Sequence, residues 1–236
     1  MLTKQHHNRC ELLVKSAHID TKESYGHERL HQHLTNQGHD ISLYMVRQIK
    51  QEHGIYCKRH RRFKVTTDSN HNKPVYPNLL EQQFDVAAPN IAWVNDITYI
   101  WTMDGFVYLT SIMDLYSRKI IAWTVSKTME VSCVIDTVNK AKSRRKLDTP
   151  LIIHSDRGSQ YVSKEYQKAT TKMQRSYSKK AYPWDNACIE SFHAIIKREW
   201  LNRFKILDYN HAYRLIFEYL ETFYNTTRIH SHCDYM

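Results

Sequence analysis

The stretch Ile91-Ala92-Trp93-Val94-Asn95-Asp96-Ile97-Thr98-Tyr99-Ile100-Trp101 decides how this chain is read. β-Branched and aromatic residues dominate it, which predicts a strand over 91 to 101. Met103-Asp104-Gly105 predicts a turn, and 106 to 113 and 119 to 125 read as further strands of an antiparallel meander. Beyond them the pattern predicts a helix over 129 to 142, a short buried strand at Leu151-Ile152-Ile153, a helix over 163 to 172, a strand over 174 to 178 and a helix over 186 to 200. A last helix, 208 to 224, carries Tyr213, Ile216, Phe217, Leu220 and Phe223 on an apolar face, fit to pack on the core or on a second subunit.

Within the deciding stretch Asp96 is out of place. A carboxylate inside a strand costs several kcal/mol of desolvation unless a cation or hydrogen bonds compensate it. Asp156 follows the buried strand directly, at the end where α/β sheets expose functional groups. Glu190 lies one turn into the helix that opens at Asp185-Asn186. Three acids on three elements that the topology brings side by side form a site for hard divalent cations. Two Mg²⁺ ions roughly 4 Å apart can activate a hydroxyl on one side of a phosphodiester and stabilise the leaving oxygen on the other. His154, Ser155 and Asp156 are consecutive in a strand, so they alternate across its faces and cannot chain together as a hydrolytic triad. Lys197, about 10.5 Å along the helix from Glu190 on the same face, is placed to hold a DNA phosphate. His154 and Arg157 flank the second acid and are expected to touch the scissile phosphate. Ile189, Phe192 and Ile196 mark the buried face of that helix, and Trp93, Trp123 and Trp184 read as packing residues.

The 236 residues carry a formal net charge of +10, which points to a polyanionic partner. Residues 1 to 75 hold 13 of the Lys+Arg against 7 Asp+Glu, and ten of the fifteen histidines. There Leu30, Leu34, Val46 and Ile49 recur at helical spacing in segments 26 to 36 and 43 to 53, with Gly38 between them, Ser42 as N-cap and Gly54 as the stop. Two short helices around such a turn suit a helix-turn-helix. The run Lys58-Arg59-His60-Arg61-Arg62-Phe63-Lys64 adds the phosphate-binding cations Lys58, Arg59, Arg61, Arg62 and Lys64. Pro74, Pro77 and Pro89 then mark an extended linker. The expected organisation is a helix-turn-helix module at 1–60, a basic Pro-containing linker at 61–90, a catalytic core at 91–203 and a C-terminal helix with a truncated tail at 204–236.

Other classes drop out. The five glycines are never closer than twelve positions, so neither a P-loop nor a dinucleotide-binding turn can be written. Five scattered cysteines without a C-x-x-C pair argue for reduced, mostly buried thiols rather than disulfides or structural zinc. No stretch has the roughly 18 apolar residues of a membrane span, and the start lacks a signal core, which predicts a cytoplasmic protein.

Trp93-Val94-Asn95-Asp96-Ile97-Thr98-Tyr99, His154-Ser155-Asp156-Arg157-Gly158-Ser159-Gln160-Tyr161 and Asp185-Asn186-Ala187-Cys188-Ile189-Glu190-Ser191-Phe192-His193-Ala194, followed by Lys197 and Glu199, resemble the integrase catalytic core of bacterial DDE transposases of the insertion-sequence-three family, second-frame type. The similarity extends to Tyr25-Gly26 through Gly54, to Thr67-Asp68-Ser69-Asn70-His71-Asn72, and to Tyr224-Asn225 with Arg228-Ile229-His230-Ser231. It implies an α/β fold: a ribonuclease-H-like integrase core, with a mixed five-stranded sheet and flanking helices, behind a small all-α helix-turn-helix module. It also implies that Asp96, Asp156 and Glu190 bind two Mg²⁺ ions, for which Mn²⁺ can substitute. The implied activity is cleavage at terminal inverted repeats to free a 3′-hydroxyl, then transfer of that end into target DNA. The implied partners are DNA, the product of an upstream reading frame and further copies of the chain in a synaptic complex near the nucleoid. Three departures stand out: only 33 residues (157 to 189) separate Asp156 from Glu190, two short of the family's usual spacing, Ala181 stands where the family tends to have glycine, and Cys233-Asp234 replaces Leu-Gly. They keep open a catalytically decayed copy acting only as a DNA-binding protein. A retroviral-type integrase would bring a His-His-Cys-Cys zinc module, and a ribonuclease H does not need the basic helical module.

Overall fold

The computed structural model describes residues 2–57, 75–147, 150–180 and 182–230, with side chains from His6 onward. The basic run 58–64, the block 67–72, Ala181 and positions 231–236 therefore lie outside the described residues.

Three strands, β1 (Ala92–Thr102), β2 (Gly105–Asp114) and β3 (Ile120–Ser126), form the expected meander. The chain crosses over through α4 (Val131–Arg144) to β4 (Ile152–Ser155), then through α5 (Lys164–Ala169) to β5 (Gln174–Tyr177). The sheet order is β3-β2-β1-β4-β5, antiparallel across the first three and parallel from β1 to β4 to β5. This is the mixed five-stranded sheet that the family resemblance implied. β1 is central because its residues are apolar on both faces over Ala92 to Val94, the length along which it pairs with both neighbours.

Period-2 alternation divides the sheet into two packed faces. Trp93, Ile112 and Ala122 pack with Val134 and Val138 of α4 and with Tyr161 and Tyr166. On the opposite face Val94, Leu109 and Met113 meet Ile189, Phe192 and Ile196 of α6 (Ala187–Glu199), the three residues expected on its buried face. The same apolar cluster runs on through Ile216, Tyr219 and Phe223 to Tyr25, Leu30, Leu34, Val46 and Ile49. The C-terminal helix is thus spent on the chain's own core.

The N-terminal module has one helix more than the sequence pattern predicted. α1 (Leu2–Asp20) precedes α2 (His27–Asn36) and α3 (Leu43–Glu52) and buries only a thin stripe of Cys10, Val14 and Ala17. Ser42 caps α3, its Oγ accepting from Met45 N at 3.2 Å. Gly38, at φ +80°, makes the turn between α2 and α3 in a conformation that costs a side chain strain. The expected helix over 208 to 224 is α7 (Tyr209–Phe217), capped by Asp208, which widens into π-helical turns over Glu218–Tyr224. Cys10 alone of the four described cysteines is buried, the other three being half-exposed. No helix among the described residues is long and apolar enough to cross a membrane.

Candidate active site

Each of the three acids comes from a different element. Asp96 stands in the middle of β1 on the face covered by α6. The parallel register sets Val94 beside His154, so Asp156, two residues on, rises on that same face just past the end of β4. Glu190 sits in the first turn of α6, whose seat against β1 is fixed by Ile189, Phe192 and Ile196. α5 has only six residues and a tight turn leads from it to β5, so the short 157-to-189 segment is accommodated with Glu190 still in the opening turn.

Asp96 and Glu190 feel each other's charge, and Asp96 and Asp156 both act on one buried tyrosine. Glu190 is raised above the ordinary carboxylate range, first by the desolvation of its inner side and then by the charge of Asp96. Asp96 and Asp156 both bear on the Tyr161 hydroxyl, whose pKa burial drives far upward. Tyr161 is 1% exposed, and its buried hydroxyl has no hydrogen-bond partner among the described residues. An orphaned buried donor beside two carboxylates costs free energy, and sites that do chemistry are where such costs persist. Among the described residues no three acids, histidines or cysteines close into a metal cage. Part of the acids' bonding is taken up locally: His193 Nδ1 lies 3.3 Å from Asp96 Oδ2, and Gly158 N donates to Asp156 Oδ1 at 2.9 Å. The donor set itself, three carboxylates and no thiolate, suits a hard cation such as Mg²⁺.

Gly158 has a further role here. A Cβ on it would stand 3.1 Å from Asp156 Oδ1 and 3.2 Å from Gln160 Oε1. Gly158→Ala is expected to turn the Asp156 carboxylate and lower strand cleavage about tenfold to a hundredfold, with little change in unfolding midpoint. Cleavage within twofold of wild type in single-turnover assays counts against this.

Lys197 belongs to the site rather than to bulk solvent. Its Nζ donates to Thr98 Oγ1 at 2.6 Å and lies 4.5 Å from the centre of the Tyr99 ring. Burial lowers its pKa, and the charge of Asp96 opposes that shift. Arg157 Nε donates to Ser178 O at 2.7 Å, which ties the end of β4 to the end of β5. The expectation for His154 is corrected. It is wholly buried between β4 and β5, with Nδ1 2.8 Å from Ser176 Oγ and Nε2 3.0 Å from Ser178 Oγ, so it cannot touch DNA. Burial pushes its pKa down to about 4, which keeps the ring neutral.

Trp184 is also corrected. Trp93 and Trp123 are packed as expected, but Trp184 is 66% exposed in the turn Pro183–Asn186 that opens α6. On α3 the residues opposite the buried Val46 and Ile49 are Tyr44, Arg47 and Gln51, all exposed. The same helical spacing that located the core would have located them. The five cations of the 58–64 run lie outside the described residues.

Sheet, crossovers and acids define an integrase-type core of the ribonuclease-H-like fold. A family model described as "Integrase core domain" matches residues 86–183, a second of that description matches 171–236, and one described as "HTH-like domain" matches 6–63. The "Insertion element IS600 uncharacterized 31 kDa protein" of Shigella sonnei is 38% identical over 230 residues, covering 97% of this chain and 85% of the relative. "Transposase InsF for insertion sequence IS3A" of Escherichia coli (strain K12) is 35% identical over 232 residues, covering 98% and 81%. The chain belongs to the insertion-sequence-three family of integrase-core transposases. Among solved structures, the simian T-cell lymphotropic virus intasome in complex with PP2A regulatory subunit B56 gamma shares the fold, at TM-score 0.51 and 19% identity over 94% of this chain and 71% of that one.

Proposed function

We propose that this transposase cuts DNA at the terminal inverted repeats of its element to free a 3′-hydroxyl and joins that hydroxyl to target DNA, with Asp96, Asp156 and Glu190 holding two Mg²⁺ or Mn²⁺ ions. The observation that supports this reading is placement: the parallel register sets Asp96 and Asp156 on one sheet face, and α6 packs on that face with Glu190 in its first turn, where Asp96 raises the Glu190 pKa. When bound, the ions supply activation of the attacking hydroxyl and charge stabilisation of the leaving oxygen. His193 orients the Asp96 carboxylate, and the Gly158 amide fixes that of Asp156. Lys197 holds a phosphate of the end being cut, and Arg157 braces the β4 and β5 ends that carry the site.

Sequence-independent affinity comes from Lys58, Arg59, Arg61, Arg62 and Lys64, and Tyr44, Arg47 and Gln51 of α3 face the bases. On this reading residues 1–60 bind the repeats, 61–90 link, 91–203 cut and join, and 204–236 close the core. The working form is a multimer in a synaptic complex that includes the upstream frame's product, in the bacterial cytoplasm at the nucleoid.

Labelled end DNA tests this proposal. Cleaved and joined products are expected with Mg²⁺ or Mn²⁺ and absent with chelator; a folded protein that binds the ends but makes no product, even with the upstream product added, supports the DNA-binding remnant instead. Lys197→Ala is expected to weaken binding equally on all sequences and to reduce the salt slope by about one. An unchanged slope in salt titrations contradicts the phosphate contact and leaves Lys197 a brace for Thr98.

A further inference from the structure

The β1–β2 hairpin carries a second surface, on the sheet face opposite Asp96. Register places Tyr99 beside Tyr108 and Trp101 beside Phe106, so four rings stand on one face at the hairpin end. Phe106 meets Tyr99 and Trp101 edge to face, with centroids 5.3 and 4.9 Å apart. Nearer the sheet centre that face is covered by α4, but at this end Trp101 is 61% and Phe106 45% exposed. Large rings held rigidly by one another and left in solvent mark a binding surface rather than a core.

Its position indicates what it binds. β4 pairs with β1 only over Ala92 to Val94, so among the described residues the far half of β1 has no strand on that edge. Lys197 sits at that edge, bonded to Thr98 on the Asp96 face and lying over Tyr99 on the aromatic face. One ammonium group thus joins the candidate active site to the aromatic surface. Trp101 lies five residues beyond Asp96, about 17 Å along the strand and within reach of a few nucleotides. A cation beside exposed aromatic rings is the combination that binds single-stranded nucleic acid, in which the bases offer their faces.

We propose that Tyr99, Trp101 and Phe106 form a stacking platform for unpaired bases of the DNA strand whose phosphate Lys197 holds. This rests on the reading of the chain as an enzyme acting on DNA ends, and it adds a preference for ends with unpaired bases. In duplex DNA the base faces are already stacked, so the platform engages only a frayed or single-stranded end.

The test uses the full chain, without divalent ions, and fluorescence anisotropy on a blunt duplex and on the same duplex bearing a tail of five thymidines. Wild type is expected to prefer the tailed duplex at least tenfold. The double variant Trp101→Ala, Phe106→Ala is expected to bind the blunt duplex as wild type does and to lose the preference, and Trp101→Tyr to retain most of it. Equal preference in wild type and double variant overturns the proposal, as does a wild type without preference. If the double variant lowers the unfolding midpoint by several degrees or changes the sedimentation behaviour while the tail preference persists, the surface is covered by protein, and the proposal fails. A wild type that binds neither duplex overturns the DNA reading itself, which separates the two failures.

Discussion

Asp96→Asn is expected to lower strand cleavage at least 10³-fold and leave a folded protein. Asparagine keeps the shape of the side chain and its contact with His193, whose Nδ1 lies 3.3 Å from the Asp96 carboxylate. It removes a charge from a half-buried site where Asp96 raises the pKa of Glu190 and opposes the drop at Lys197. Relief of that repulsion makes the free protein as stable as wild type or slightly more so. On the proposed reading strand cleavage, in contrast, would lose a metal ligand, and a 10³-fold loss corresponds to about 4 kcal/mol of transition-state stabilisation. Single-turnover cleavage on labelled ends and thermal unfolding on the same preparation check both halves. Residual cleavage within tenfold of wild type contradicts the assignment.

The second large effect is on stability. Glu199, at the end of α6, is buried and accepts Arg228 Nε and Nη2, each at 2.9 Å, and the Tyr219 hydroxyl at 2.8 Å, with Arg29 Nη1 3.5 Å away. The guanidinium holds the Glu199 carboxyl below the usual range. α6, the C-terminal segment and α2 of the N-terminal module meet at this one carboxylate. Removing one partner strands the other charge in a buried place, and Glu199→Gln or Arg228→Met is expected to cost about 3–5 kcal/mol by urea unfolding. The double replacement Glu199→Leu, Arg228→Met is expected to recover part of that, because the buried Arg228 charge goes with its partner and only the partly exposed Arg29 and the Tyr219 hydroxyl lose one. Single variants costing less than about 1 kcal/mol would show the pair to be solvated.

The same cluster sets a pH dependence. Burial and the charge of Arg228 push His230 down to about 4 from 6.5. The unfolded chain takes up that proton first, so the contribution is complete above about pH 6.5 and is lost as pH falls towards 4. His154 has the same sign, and Glu199, lowered in the folded state, loses its contribution at still lower pH. The unfolding midpoint should fall steadily from pH 7 to 4. A flat profile contradicts the burial of both rings.

Much of this was legible in the sequence because local chemistry fixed it. The strands of the meander are dense in β-branched and aromatic residues, and Asp96 stood out because charge is costly inside one. The apolar spacing of Leu30, Leu34, Val46 and Ile49 survived folding unchanged. α1 was not legible because its buried stripe of Cys10, Val14 and Ala17, though at helical spacing, is made of small residues, while the larger Leu12 and Ile19 are exposed off it. His154 was misread because the hydroxyls that satisfy it come from β5, 22 and 24 residues later. Trp184 was misread because residue type suggests burial while an exposed turn decides otherwise. The bond between Glu199 and Arg228 spans 29 residues and depends on how α6 and the C-terminal segment cross, which no local pattern encodes.

The claim that Asp96, Asp156 and Glu190 make one metal centre is tested most directly by Mn²⁺ titration, followed by electron paramagnetic resonance, on the chain bound to end DNA. The account predicts tight Mn²⁺ binding by wild type and marked weakening in each of Asp96→Asn, Asp156→Asn and Glu190→Gln, with DNA binding retained. Glu190→Gln binding Mn²⁺ as wild type does would contradict it, by showing that the short 157-to-189 segment leaves the third acid outside the centre.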